Sequence, residues 1–459
     1  MSLSRRHFLG GALAAGGAAA FGGQATLSSL ARAAEASDRY FVLCYFGGGW
    51  DVLSGLDGRD PSIYRRDNRR DTGIEPAYDI IETTGLPPLN VPGLVHADGT
   101  PVENHFFGPA FGTSRLAPHL DKLAVVRGMS MDTLTHEAGR RRFLTGKVPS
   151  GLSARGSSAS TWLASALGAN DPIPNLSVNT EAYNVDRPVW ATALGVANVN
   201  DLLAALRPGA SVLGARERDL VEATLDSYAA CQVQTESATF VKATESRHGA
   251  RTLVNRRLDS IISSELTSRA VQYGHGGNYS SPEAYALLAV TAITLGLSRC
   301  VSITVTESLD THYDDWFRVQ TARQRRGFNT MATMIEDLGS RAHPSGGTWL
   351  DRVTFLGFSE FSRTAMLNAS LGRDHHLMNG CVLAGGGIRG GVVAGASTNI
   401  NGMLPGPVNL TTGVPDPNGV IMYPEHVVQS LLHLAGISSA DGSEDPADLR
   451  VPVLPAILA

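Results

Sequence analysis

The chain has 459 residues, and 38 Lys and Arg against 43 Asp and Glu leave a net charge of −5, too small and of the wrong sign to recruit nucleic acid or an anionic membrane. With 50 glycines and 23 prolines it reads as an assembly of loops and tight turns around regular elements, not as a helical bundle. Cys44, Cys231, Cys300 and Cys381 lie far apart with no C-x-x-C pair. Cys44, Cys300 and Cys381 fall in apolar runs, which marks them as buried free thiols, although an oxidising destination permits one or two disulfides.

The first segment is an address. Ser4-Arg5-Arg6-His7-Phe8-Leu9 precedes an Ala/Gly-rich stretch to Gly23, and Ala31-Arg32-Ala33 offers a small-residue cleavage site. A paired Arg before a modestly apolar stretch is the pattern of a twin-arginine export signal, so residues 1–36 are expected to be removed, with the mature chain starting near Ala34 or Ser37. The translocase is then a transient partner, and the destination is the periplasm or cell surface. The apolar stretch is too short and Gly-rich to persist as a transmembrane helix.

Residues 37–459 are expected to form one domain. Arg39–Phe46 is a continuous apolar run suited to a strand buried on both faces, and it ends in Gly47-Gly48-Gly49-Trp50-Asp51. Leu123–Val126, Cys300–Thr306, Val353–Phe358 and Cys381–Ala384 have the same character. Ser281-Pro282 followed by an apolar stretch to Gly296 has the N-cap, N1 proline and terminal glycine of a helix. Strands alternating with helices predict an α/β fold with a mainly parallel central sheet flanked by helices on both faces. Charged amphipathic stretches from Arg216 and from Val254 to Leu266 predict a helical insertion at about 200–270. Residues 59–108 and 395–421 read as long loops, and the Gly-rich run Gly385–Gly391 as a hairpin turn, since its spacing fails both the dinucleotide fingerprint and the P-loop.

In an open parallel sheet, ligands sit outside the carboxyl ends of the strands. Reading each strand to its end gives Asp51, then Asp310 and His312, then Glu360, then His375 and His376 in Arg373-Asp374-His375-His376. This mixture of oxygen and nitrogen donors suits a divalent metal, with zinc, manganese, magnesium and calcium all admissible and the histidines favouring a transition metal. Singly, Asp51 and Asp310 are equally explained as caps of helices or loops. Trp50 and Trp316 fit either a substrate cleft or the core.

Gly47-Gly-Gly-Trp-Asp51, Glu307-Ser-Leu-Asp-Thr-His312, Phe358-Ser-Glu-Phe-Ser-Arg-Thr364, Gly372-Arg-Asp-His-His376 and Leu383-Ala-Gly-Gly-Gly-Ile-Arg-Gly-Gly391 occur in this order. These blocks resemble those of a bacterial family of exported proteins catalogued as domain of unknown function 1501. That family is similar in turn to the alkaline phosphatase and sulfatase superfamily. The resemblance implies a sheet carrying one or two metal positions, with Asp51 as the first-strand ligand, Asp310 and His312 as the middle pair, Glu360 as the later acidic ligand and His375 or His376 as the final one.

His136-Glu-Ala-Gly-Arg140-Arg-Arg-Phe-Leu144-Thr-Gly146-Lys-Val-Pro149 is similar to the sulfatase nucleophile motif, but His136 stands where Ser, Thr or Cys is expected. A helix N-terminus supplies N–H groups for an anion, and Arg140 adds a guanidinium fork. His136 is open to four readings: nucleophile, general acid or base beside a metal-activated water, metal ligand, or structural residue. Arg141 and Arg142 read as a solvated or salt-bridged helix face. The expectation is an exported metal-dependent hydrolase of phosphate or sulfate esters acting on an anionic small molecule or polymer. The rival is a non-catalytic exported binding or assembly protein that keeps the fold.

Overall fold

Tyr40–Phe46 (β1) is apolar at every position because both of its faces are covered: Val42, Cys44 and Phe46 enter one hydrophobic core, while Phe41, Leu43 and Tyr45 enter the other. The structure is a computed structural model that describes residues 38–207, 213–233, 251 and 256–459. The expected export signal, residues 1–36, and Val254 in the expected insertion lie outside the described residues.

In chain order the elements that matter are β2 (Leu123–Ser130), α1 (His136–Thr145), α2 (Ala159–Leu167), β3 (Asn175–Val178), β4 (Leu194–Val196), α3 (Val199–Leu206), α4 (Ala215–Val233), α5 (Leu258–Ser268), α6 (Pro282–Thr294), β5 (Cys300–Thr306), α7 (Thr321–Ser340), β6 (Val353–Phe358), β7 (Met378–Gly385), β8 (Val392–Ala394) and α8 (Pro424–Leu434). Eight strands form one sheet in the order β8-β2-β7-β6-β1-β5-β3-β4. Every neighbouring pair is parallel except the two pairs made by β7, so the sheet is mainly parallel with one reversed strand. Residues Arg39–Ala459 cluster as one compact unit.

One face of the sheet is covered by α3, α5, α6 and α7, and the other by α1, α2 and α8. Helix α6 starts where its sequence says it should: the Ser281 hydroxyl accepts the Ala284 N–H, with Pro282 next. Nearly every residue of α6 is buried, which leaves no polar stripe. Cys44, Cys300 and Cys381 are free and buried, and burial pushes their thiols up.

The Gly385–Gly391 hairpin is corrected. β7 and β8 do not pair with each other, because β2 lies between them, antiparallel to β7 and parallel to β8. The glycines carry the chain across the end of β2, and a side chain at Gly385 would strike the Val353 carbonyl at 2.0 Å. Among the described residues, no helix is long and apolar enough to cross a membrane.

Candidate metal centre

Four strand ends meet above the sheet. β1 runs into Gly47-Gly48-Gly49, and Gly48 at φ 110° comes so close to the loop after β5 that an added Cβ would lie 2.6 Å from the Leu309 N and 2.8 Å from the Asp310 N. The same Gly48 donates its N–H to Glu360 Oε1 at 2.9 Å, tying β1 to the end of β6. Helix α1 then lies on Glu360: a Cβ at Gly139 would be 2.3 Å from the Glu360 carbonyl. This approach sets His136, the first residue of α1, beside Glu360 and Asp310.

The result is a cluster of donors. Asp310 Oδ1 lies 3.3 Å from His136 Nε2, 3.0 Å from His312 Nε2 and 3.3 Å from His375 Nε2. His312 Nε2 and His375 Nε2 are 3.0 Å apart. His136, Asp310 and His375 offer ligand atoms close enough together to share one ion. Each imidazole is anchored through its other nitrogen. His136 Nδ1 donates to Glu360 Oε1 at 2.7 Å, His312 Nδ1 to Asp374 Oδ1 at 2.8 Å, and His375 Nδ1 to the Leu134 carbonyl at 2.6 Å. With each Nδ1 held by an acceptor, Nε2 is the nitrogen that each ring turns toward Asp310.

These residues fit a metal ion. His136 Nε2 is shielded from solvent and, although near Asp310, has no hydrogen-bond partner, so a buried acceptor faces the centre unpaired. Donors about 2.0–2.1 Å from a tetrahedral ion are separated by about 3.3–3.4 Å, close to the spacings here, whereas calcium holds its oxygen ligands at about 2.3–2.6 Å.

Asp310 is held below the usual carboxylate range: burial opposes this, but the Arg363 guanidinium, which donates to Oδ1 at 2.7 Å, outweighs it together with His375 and His136. Burial works against a charged His136, yet the bond and charge of Glu360 raise its pKa. Burial likewise disfavours charge on Glu360 and His136 overcomes it, so the carboxyl lies low. His375 is lowered by burial, partly offset by the Leu134 carbonyl. Arg363 is fully buried, its donors on the Gly48, Gly49 and Arg373 carbonyls and Asp310, with Nη1 also 3.3 Å from His312 Nε2.

The structure therefore gathers Asp310, His312 and His375 with His136, and sets Glu360 behind His136 instead of among the facing atoms. Glu360 is pinned by the Gly48 N–H, the Tyr45 hydroxyl at 3.0 Å and the Ser359 hydroxyl at 2.9 Å. Two expected ligands lie elsewhere. Asp51 is fully buried, its Oδ1 accepting the Leu53 and Ser54 N–H groups and its Oδ2 the Trp316 indole N–H at 2.8 Å, with Arg373 Nε 3.2 Å away. The capping alternative holds for it. His376, in a two-residue ladder with Ser362, accepts the Met378 N–H at 3.0 Å through Nδ1 and is turned away from its neighbour His375. Trp50 and Trp316 are core residues, 0% and 1% exposed.

The basic run resolves by helical spacing. Arg140 Nη2 donates to Glu181 at 2.8 Å, Arg141 Nε to the Tyr183 hydroxyl at 2.9 Å, and the buried Arg142 to Glu425 on α8 at 2.8 Å. Arg140 thus lines a cavity of about 460 Å³ beside the centre, with Tyr45, Asn179 and Glu181, and does not face the clustered nitrogens. The Leu144-Thr145-Gly146 segment closes α1, Gly146 taking the left-handed conformation at φ 62°. Sequence reasoning missed Asp374, Arg363 and Tyr45; Asp374 sits directly before the His pair, the one local signal that pointed to it.

No curated protein matches the sequence. Among solved structures, the crystal structure of Ps i-CgsB in complex with k-i-k-neocarrahexaose is similar at 7% identity and a TM-score of 0.37, over 91% of this chain and 75% of that one. The PsFucS1 sulfatase from Pseudoalteromonas sp. is similar at 9% identity and 0.38, over 94% and 76%. Neither likeness is strong enough to carry a fold or an activity across. A family model matches residues 112–405, more than half of the sequence and all four of the residues gathered at the centre, and the chain belongs to that family, described as protein of unknown function (DUF1501).

Proposed function

We propose that this protein is an exported metal-dependent hydrolase of phosphate or sulfate esters, with a divalent transition metal, zinc-like in size, held by His136, Asp310, His312 and His375. One observation carries the reading: His136 Nε2, His375 Nε2 and a carboxylate oxygen of Asp310 lie close enough to share one ion, with His312 Nε2 3.0 Å from both Asp310 Oδ1 and His375 Nε2, and each ring is oriented by an acceptor on its Nδ1. A bound divalent ion supplies Lewis acidity and lowers the pKa of a coordinated water. Glu360 holds His136 in the tautomer that leaves Nε2 free, Asp374 does the same for His312, and Arg363 fixes Asp310. With both of its nitrogens committed, His136 acts in this reading as a ligand, not as a nucleophile. Side chains of Asp310, His312, His375 and His136 are 48%, 32%, 21% and 26% exposed, enough for a substrate to reach them.

The test is metal content by plasma mass spectrometry on protein purified without chelator, beside Asp310→Ala and His375→Ala. Near-stoichiometric metal lost in both variants supports the centre, and phosphate and sulfate ester hydrolysis lost with it supports the activity. A folded, metal-free wild type sinks the reading. The non-catalytic alternative is favoured by one feature: Arg363 already neutralises Asp310 from a fully buried position. Stoichiometric metal without turnover of either ester class selects it. Export rests on Arg5-Arg6 and the Ala31–Ala33 site, and replacing both arginines with Lys is expected to leave the precursor in the cytoplasm.

A further inference from the structure

Two cavities open at the carboxyl ends of the parallel strands, and both are lined by Asn179. The first, about 460 Å³, is the one that Tyr45, Arg140 and Glu181 share beneath α1. The second, about 300 Å³, reaches Thr304, Thr306 and Ser308 at the end of β5, two residues short of Asp310. They flank the metal centre. Tyr45 donates to Glu360, which holds His136, while Arg140 lies one helical turn beyond His136.

Among the described residues lining the second cavity, Pro282 is the only one without a polar side-chain atom. Amides and hydroxyls predominate, groups that donate and accept at once, as a sugar hydroxyl does. Two of the three arginines are matched, Arg140 to Glu181 at 2.8 Å and Arg326 to Glu283 at 2.6 Å, while Arg323 donates to the Ser308 carbonyl at 2.6 Å, so among the described residues the cleft holds a single cation without a carboxylate partner and no run of them. Asn179 takes φ 54°, with its carbonyl accepting the Thr304 hydroxyl at 2.5 Å, so a left-handed backbone is held at the junction of the cavities. In the wall of the first cavity, the Thr180 hydroxyl and Arg140 Nε are shielded from solvent with no hydrogen-bond partner among the described residues.

We propose that this cleft, over β1, β3, β4 and β5, binds a saccharide chain through its hydroxyl groups and presents an ester on that chain to the His136–Asp310–His375 centre. The presentation rests on the hydrolytic reading of that centre; the binding does not. The test is affinity electrophoresis of the full chain in gels containing a neutral glucan, a neutral galactan or the sulfated form of each, with and without about 0.5 M salt. Asn179→Gly suits the left-handed backbone while removing the amide, and Thr180→Val keeps shape while removing the hydroxyl. Retardation by at least one glycan that survives salt and weakens roughly fivefold to tenfold in either variant supports the proposal. No retardation by any of the four, or retardation by sulfated gels alone that salt abolishes, overturns it. His375→Ala separates the two ideas: it is expected to lose metal and keep glycan binding, so an empty wild-type centre with intact retardation defeats only the hydrolase.

Discussion

Asp51 stood at the head of the expected ligands, and Asp51→Asn distinguishes that role from the one the fold assigns it. Asn is nearly isosteric, and its Oδ1 still accepts the Leu53 and Ser54 N–H groups. Its NH₂ replaces the oxygen that faces the Trp316 N–H at 2.8 Å and Arg373 Nε at 3.2 Å, so donor meets donor. Arg373 is fully buried, its remaining donors on the Thr364, Glu75 and Pro76 carbonyls, and it loses the carboxylate it is paired with. Removing one member of a buried pair costs about 3–5 kcal/mol because the other charge stays buried without compensation. At roughly 2 cal/mol/K of unfolding entropy per residue, a unit of this length gives a fall in melting temperature of about 3–6 °C. Calorimetry reads the loss, and plasma mass spectrometry on the folded variant reads the metal, expected at wild-type stoichiometry. A variant as stable as wild type, or one that stays folded but empties of metal, refutes the reasoning.

Three further outcomes are expected. Glu360→Gln keeps the packing but weakens the acceptor on His136 Nδ1; metal affinity by competition titration falls about 10–100-fold, and an unchanged affinity removes Glu360 from the centre. Chelator dialysis lowers the wild-type melting point and the same ion restores it, since ligand at about 1,000 times its Kd contributes roughly 4 kcal/mol; His375→Ala shows no such response. His426, on α8, accepts the Tyr423 N–H through Nδ1 at 3.1 Å, and burial pushes its pKa down to about 4. The folded state therefore binds fewer protons than the unfolded state between about pH 4 and 6.5, so stability rises with pH across that window. From pH 7 to 5 the expected loss is about 2 kcal/mol, and His426→Gln, which still offers an acceptor, shows a smaller loss in urea titrations at the two pH values.

The sheet was legible because a strand buried on both faces has little choice but to be apolar throughout. Cys300–Thr306 and Val353–Phe358 begin and end where their runs do. Short strands such as Asn175–Val178 and Val392–Ala394 carry too few residues to declare themselves, and the reversed β7 reads like its parallel neighbours because burial, not direction, sets its composition. The candidate site was half legible. Strand-end placement brought Asp310, His312 and His375 forward, and the resemblance of the Leu-Thr-Gly segment brought His136 forward, but not the role that segment implied.

By itself the sequence determined where the long buried strands run and which polar residues follow them, since those follow from local periodicity and caps. Tertiary structure alone decided which of those residues face one another. His375 and His376 are adjacent and chemically identical, and only the ladder with Ser362–Arg363 turns one toward Asp310. Asp51 is claimed by Trp316 and Arg373, and His136 is delivered by a helix that lies on Glu360 through the missing side chain of Gly139. Those partners are far away in sequence, and a side chain's role is set by the hydrogen bonds its neighbours leave open, which no local pattern records.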